Sequence, residues 1–129
     1  VANSITPEPI AAGDCLNLLS GGQTRALMIA DIALVCDSPI VLVDEIENAG
    51  IDKTRALSLL QSRDKLVLVV THDPHTALMA PRRLVMAGGA VKAALERTTE
   101  EAALFNALSL EYARSQRLQT LLRKGETLA

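Results

Sequence analysis

Apolar residues in this chain fall in blocks rather than in a simple alternation. Residues 22–35 (Gly-Gln-Thr-Arg-Ala-Leu-Met-Ile-Ala-Asp-Ile-Ala-Leu-Val) are apolar almost all round, which predicts a buried helix. Asp37-Ser38-Pro39 ends it, and Ile40-Val41-Leu42-Val43 follows as an unbroken β-branched and aliphatic run. Leu66-Val67-Leu68-Val69-Val70 repeats that character. Runs of this kind predict central strands of a parallel sheet covered on both faces. Between them lie a polar loop over 44–52 with Gly50 and a predicted helix over 53–61.

Farther on, Asp73-Pro74 predicts the cap and first position of a short helix. Residues 83–87 and 90–94 read as two short strands around a Gly88-Gly89 turn. Thr98 and Glu101 have capping-box spacing and predict a helix, or two, running to about Arg123. The first 18 residues, with Pro7, Pro9 and Gly13, read as loop with at most a short helical turn. Strands alternating with helices predict an α/β layered fold.

Composition narrows the class. The chain has 129 residues, 49% of them hydrophobic, so at most one domain with a real core is expected. Phe105 and Tyr112 stand alone among Phe, Tyr and Trp, leaving packing to aliphatic side chains. A net charge of −2 with no basic block predicts no direct nucleic-acid binding. Cys15 and Cys36 form no metal or redox motif and read as ordinary reduced thiols. No apolar run approaches the roughly 20 residues a membrane helix needs, and the start carries no signal-peptide pattern. The chain opens at Val1 inside a loop and reads as a piece of something longer.

Three strings carry candidate chemistry. Leu19-Ser20-Gly21-Gly22-Gln23 leads into the first long helix, where open backbone N–H groups, the helix dipole and a hydroxyl favour an anion. Ser-Gly-Gly alone is also a common turn. Asp44-Glu45 ends the first strand, at the carboxyl edge where open α/β sheets bind ligands. Two carboxylates there can serve a metal and an attacking water, or simply meet solvent. Thr71-His72-Asp73 ends the next strand and brings an imidazole to the same edge, or leaves a surface histidine. His75, three positions on, reads as an ordinary surface residue of the short helix.

The five-residue signature, the Asp-Glu pair and the histidine, in this order and spacing, resemble the ATP-binding cassette (ABC) ATPases over residues 19–89. The resemblance implies a partial P-loop NTPase core: a mostly parallel sheet flanked by helices, spanning 1–97, with a C-terminal helical extension over 98–129. It implies a parent that binds and hydrolyses Mg·ATP in a cassette dimer, as the cytoplasmic ATP-binding subunit of a membrane transporter with a permease partner. Alternatives within the resemblance are a soluble ABC ATPase in DNA maintenance or regulation, and a non-catalytic docking module.

By the same resemblance, Ser20, Gly21, Gly22 and Gln23 contact ATP held by a partner cassette. Asp44 supports Mg²⁺, Glu45 is the general base, and His72 is the switch residue. Asn48-Ala49-Gly50-Ile51-Asp52 stands where the D-loop lies, with Asp52 as its aspartate and a further cofactor-binding residue. The chain departs from the family pattern at three places. Ile46 replaces the usual Pro, Glu45 to Asp52 is one residue longer than the common form, and Arg25 follows Gln23 by two positions rather than three. No Gly-x-x-x-x-Gly-Lys-Ser/Thr loop occurs in these residues, so the chain alone is expected to be inactive. The apolar stripe of Leu104, Phe105, Leu108, Tyr112, Leu118, Leu121 and Leu122 either packs back on the core or meets a partner.

Overall fold

A computed structural model describes residues 1–48 and 50–129. The chain forms two compact units, Val1–His72 and Asp73–Ala129.

In the first unit, α1 (Gly21–Leu34) leads to β1 (Ile40–Asp44), then α2 (Lys53–Gln61) and β2 (Leu66–Val70). The strands pair in parallel, Ile40 opposite Leu66 through Asp44 opposite Val70. Lys65 steadies the entry to β1, its Nζ donating to the carbonyls of Cys36 (2.6 Å) and Ser38 (2.8 Å). The α2 helix starts at Asp52, whose Oδ1 accepts from the N–H groups of Thr54 (3.1 Å) and Arg55 (3.3 Å), two donors the helix itself cannot satisfy. The N-terminal segment folds onto this same corner: the Asp52 N–H donates to the Ile5 carbonyl (2.8 Å) and Arg55 Nη1 to that of Ser4 (3.1 Å). The core is aliphatic: Ile5, Ala26, Ile29, Ala30, Ala33, Val41, Ile46, Ile51, Ala56, Leu57 and Leu60 are all buried.

Two expectations about this unit need correction. The strands are parallel, but only one face of the pair is covered. Val41 is 5% exposed, while Leu42, the next residue, is 75% exposed, and Ile40, Leu66, Leu68 and Val70 share its open face. Successive strand side chains point to opposite faces, so a sheet with helices on one side leaves every second residue bare. Helix α1 is likewise buried only along Ala26, Ile29, Ala30 and Ala33, with Met28 and Leu34 exposed. The apolar runs give the character of a two-sided sheet, and local sequence does not say what lies against each side.

The second unit holds α3 (Pro74–Met79), the antiparallel pair β3 (Arg82–Ala87) and β4 (Ala90–Glu96), and α4 (Thr99–Lys124). Asp73 caps α3, accepting from the Thr76 N–H (2.9 Å) and hydroxyl (2.7 Å), with Pro74 in the first turn. The hairpin turns through Gly88 and Gly89, both at positive φ, where a side chain would be strained. The final segment is one helix of 26 residues rather than two. Its capping box is Thr98–Glu101, acidic residues lie in its first turn, and Arg123 and Lys124 lie in its last. It closes on Gly125 at φ 71°, with Gly125 N–H to the Leu122 carbonyl and Glu126 N–H to that of Leu121, a Schellman arrangement.

His75 is the third correction. It is 6% exposed, not a surface residue. Its ring stacks on Phe105 (centroids 5.3 Å apart, 13° between planes) and tilts against Tyr112 (5.1 Å), and Nε2 lies 3.0 Å from Ser109 Oγ. Part of the α4 apolar stripe is thereby used inside this unit, while Leu104 and Leu122 stay exposed.

Beside this cluster, Arg83 and Glu101 form a bidentate pair, Nη1 donating to Oε2 at 3.0 Å. The hydrogen bond from Arg83, helped by the Thr98 N–H, holds the Glu101 carboxyl below its ordinary range. The same bond raises the Arg83 pKa. Arg97 lies 5.7 Å from the Phe105 ring centre and donates to the Leu78 carbonyl (2.8 Å).

Candidate functional site

The parallel ladder decides which side chains meet. Asp44 ends β1 opposite Val70, the end of β2, and the Glu45 N–H still donates to the Val70 carbonyl at 2.9 Å. Everything just beyond these two residues shares the carboxyl edge of the pair. Asp44 and Glu45 come from the first strand and Thr71 and His72 from the second.

Glu45 leaves the ladder at φ 47°, in the left-handed region that costs a residue with a Cβ about 1–2 kcal/mol. Among the described residues, one other non-glycine, Asp64, has positive φ. Such backbone concentrates where function requires a fixed side-chain direction. Here the turn brings Glu45 Oε1 to 3.8 Å from His72 Nδ1, with both side chains open to solvent. That spacing is ion-pair range and longer than a hydrogen bond.

A third acidic residue joins them. Glu47 lies in the 3₁₀ turn Ile46–Asn48, held down by the fully buried Ile46. Its Oε1 accepts from Thr71 Oγ1 at 2.7 Å and lies 4.0 Å from the same His72 nitrogen. Sequence reasoning passed over Glu47. The available signal was its place two residues beyond the Asp44-Glu45 pair, and it becomes meaningful only with the register that brings Thr71 alongside.

The signature string forms the start of α1. Ser20 is the N-cap: its Oγ accepts from the Gln23 N–H (3.2 Å), and Gln23 Oε1 accepts from the Ser20 N–H (2.9 Å). Gln23 Nε2 donates to the Pro9 carbonyl (3.0 Å), so both ends of its amide are engaged within the protein. Nothing lies within 4 Å of where a Gly21 side chain would stand, which leaves the backbone at the helix mouth open to an approaching group.

In the D-loop reading, Ala49 lies outside the described residues, as does the side chain of Asn48. Gly50 has φ 65°, Ile51 is buried, and Asp52 is committed to capping α2 and to Arg55 (3.6 Å). Among the described residues no group of three or more His, Cys, Asp or Glu side chains could hold a metal ion. None of their helices is long and apolar enough to cross a membrane.

A parallel pair of strands with helices on one side, and with acidic and imidazole groups gathered at its carboxyl edge, makes this an α/β protein whose candidate site lies where open sheets of this class bind ligands. No family model matches it. Curated relatives do. Over 101 residues, 78% of the chain, it is 56% identical to the uncharacterized ABC transporter ATP-binding protein MJ0121 of Methanocaldococcus jannaschii. It is 38% identical over 80 residues (58% of the chain) to the macrolide export ATP-binding/permease protein MacB 1/2 of Paracoccus denitrificans. A further 38% identity over 78 residues (55% of the chain) links it to the energy-coupling factor transporter ATP-binding protein EcfA1 of Mycoplasma mobile. The chain belongs to the ABC ATPase family. It spans 39% of the first relative's length, 12% of the second's and 28% of the third's.

Proposed function

We propose that the full-length protein is the ATP-binding subunit of a membrane transporter, and that this chain supplies half of each composite ATP site in a cassette dimer. The observation that carries this reading is the meeting of Asp44, Glu45 and His72 at one edge, with Glu45 and His72 3.8 Å apart. The three ATP-binding relatives support the transport assignment.

In this reading Glu45 orients a water for in-line attack on the γ-phosphate and takes up its proton. His72, on the adjacent strand tip, meets a γ-phosphate oxygen. Ser20, Gly21 and Gly22 face the phosphate of an ATP held by the partner cassette, offering N–H groups and a hydroxyl at a helix mouth. Gln23 acts on that ATP by holding the loop in shape, since its amide is engaged with Ser20 and Pro9. Asp52 contributes to the nucleotide site as the D-loop aspartate, its direction fixed by its cap of α2.

The donors fit Mg²⁺: an exposed carboxylate at Asp44 is a hard oxygen ligand, and a cation of this kind is held through one or two carboxylates plus substrate phosphates rather than a full protein cage. When bound, Mg²⁺ would neutralise phosphate charge. The permease partner and the cytoplasmic side of the membrane follow from the transport assignment.

The test is Glu45→Gln in the full-length protein. ATP should still bind, while turnover falls by on the order of 100-fold or more, as expected on losing a general base. Hydrolysis at the unmutated rate would remove Glu45 from this role.

A further inference from the structure

The carboxyl edge contains a group that the proposed reaction does not use. Glu47 is only 14% exposed, its Oε1 accepts from Thr71 Oγ1 at 2.7 Å, and its Oε2 is buried with no hydrogen-bond partner among the described residues. Burying a carboxylate with half its acceptor capacity unused is unfavourable. An apolar residue beside Ile46 would serve packing better, so stability alone does not account for Glu47. What it touches is specific. Thr71 is the residue between the end of β2 and His72, and His72 Nδ1 lies 4.0 Å from Glu47 Oε1 and 3.8 Å from Glu45 Oε1.

We infer that Glu47 is the positioning residue for His72. Its bond to the Thr71 hydroxyl ties the tip of β2 to the turn that follows β1. Its carboxylate joins Glu45 on the Nδ1 side of the imidazole, so that Nε2 is the nitrogen presented to a phosphate. His72 is 76% exposed and has little packing of its own to fix its direction, so the orientation must come from these neighbours. The inference rests on the ATP-hydrolysis reading and adds to it a residue that never touches the nucleotide. The role is confined to the catalytic step: binding of ATP needs no particular direction of the imidazole, whereas turnover does.

The experiment is steady-state ATP hydrolysis by the full-length protein carrying Glu47→Ala, His72→Ala, the pair together, and Glu45→Gln as reference. Glu47→Ala should lower kcat by on the order of 10-fold to 100-fold, the range set by misplacing a catalytic group, with KM for ATP within about twofold. In the His72→Ala background it should cost little more, because the residue it positions is gone. Thr71→Val, which keeps the carboxylate and deletes the donor, should give a smaller loss of kcat in the same direction. It also carries the test should Glu47→Ala fail to fold. An unchanged kcat in Glu47→Ala, or in Thr71→Val where that variant stands in, overturns the inference. So do losses that multiply fully in the double variant. If Glu45→Gln abolishes turnover while Glu47→Ala does not, positioning alone falls. If Glu45→Gln hydrolyses normally, the hydrolysis reading falls with it.

Discussion

Two neighbouring residues of β1 offer a test of how this sheet is covered. Val41 faces the helices at 5% exposure and Leu42 faces outward at 75%. Val41→Ala removes two carbons from a packed interior, about 1.6 kcal/mol at roughly 0.8 kcal/mol per buried carbon, and the cavity left behind raises this to about 2 kcal/mol. Leu42→Ala removes three carbons, but with about a quarter of the side chain withdrawn from water the loss is about 0.6 kcal/mol. The larger truncation should therefore cost less. Both substitutions place Ala in the same strand, so the change in β propensity is closely matched.

Urea denaturation of the 129-residue chain, followed by far-UV circular dichroism at low concentration, measures both differences. Sedimentation at rising concentration shows whether the open face of Ile40, Leu42, Leu66, Leu68 and Val70 drives self-association, which would make the Leu42 penalty concentration-dependent. A Leu42→Ala penalty equal to or above that of Val41→Ala in the monomeric chain would refute the one-sided packing. In the full-length protein, where further sheet and helix are expected against this face, the same Leu42→Ala change should rise toward the 2–5 kcal/mol of a buried leucine.

Two further predictions concern the second unit. Because Arg83 and the Thr98 N–H hold the Glu101 carboxyl below its ordinary range, the folded form binds that proton less readily than the unfolded one. The stability this pair contributes is fully present above the ordinary carboxylate range, near pH 4, and is lost as pH falls through the lowered value. Thermal melts from pH 7 to pH 3 should show the fall, and Glu101→Gln should be less stable at pH 7 with a flatter acid limb; an acid limb identical to the parent's counts against the pair. His75→Ala deletes a buried ring stacked on Phe105 and Tyr112, and should destabilise this unit by about 2–3 kcal/mol, with loss of the Tyr112 near-ultraviolet dichroism. A melting temperature unchanged by that substitution would show that the stack contributes nothing.

What the sequence made legible is what depends on neighbours along the chain. Aliphatic runs bounded by Pro39 and Lys65 gave both parallel strands. Asp73-Pro74, Thr98 with Glu101, and Gly88-Gly89 marked elements through caps and turns whose hydrogen bonds span three residues or fewer. What it hid depends on partners far along the chain. His75 could be placed only by knowing that α4 returns to α3. Phe105 and Tyr112, seven positions and so two helical turns apart, were the one trace of a ring lying between them. Nor could the run Leu66–Val70 disclose that one of its faces would lie open, because the same residues suit a sheet covered on both sides.

The carboxyl edge shows why motif recognition and site geometry are separate achievements. Asp44 and Glu45 are adjacent, and in a continuing strand adjacent side chains point to opposite faces. The pair can serve one edge only if the chain leaves the strand between them. It does so at Glu45, at φ 47° and without a glycine, while the Glu45 N–H keeps its bond to the Val70 carbonyl. The ladder thus holds the backbone of a strained residue, and the strain aims its carboxylate toward His72 rather than along the β1 pleat. No residue type in Val43-Asp44-Glu45-Ile46 announces that turn. Ile46, buried on the far side, and Glu47, bonded to Thr71, fix where the chain goes next. The direction of Glu45 is therefore set by the ladder before it and the buried Ile46 after it, so changes at Ile46 should act on Glu45, whereas changes at Glu47 should act through Thr71 on His72.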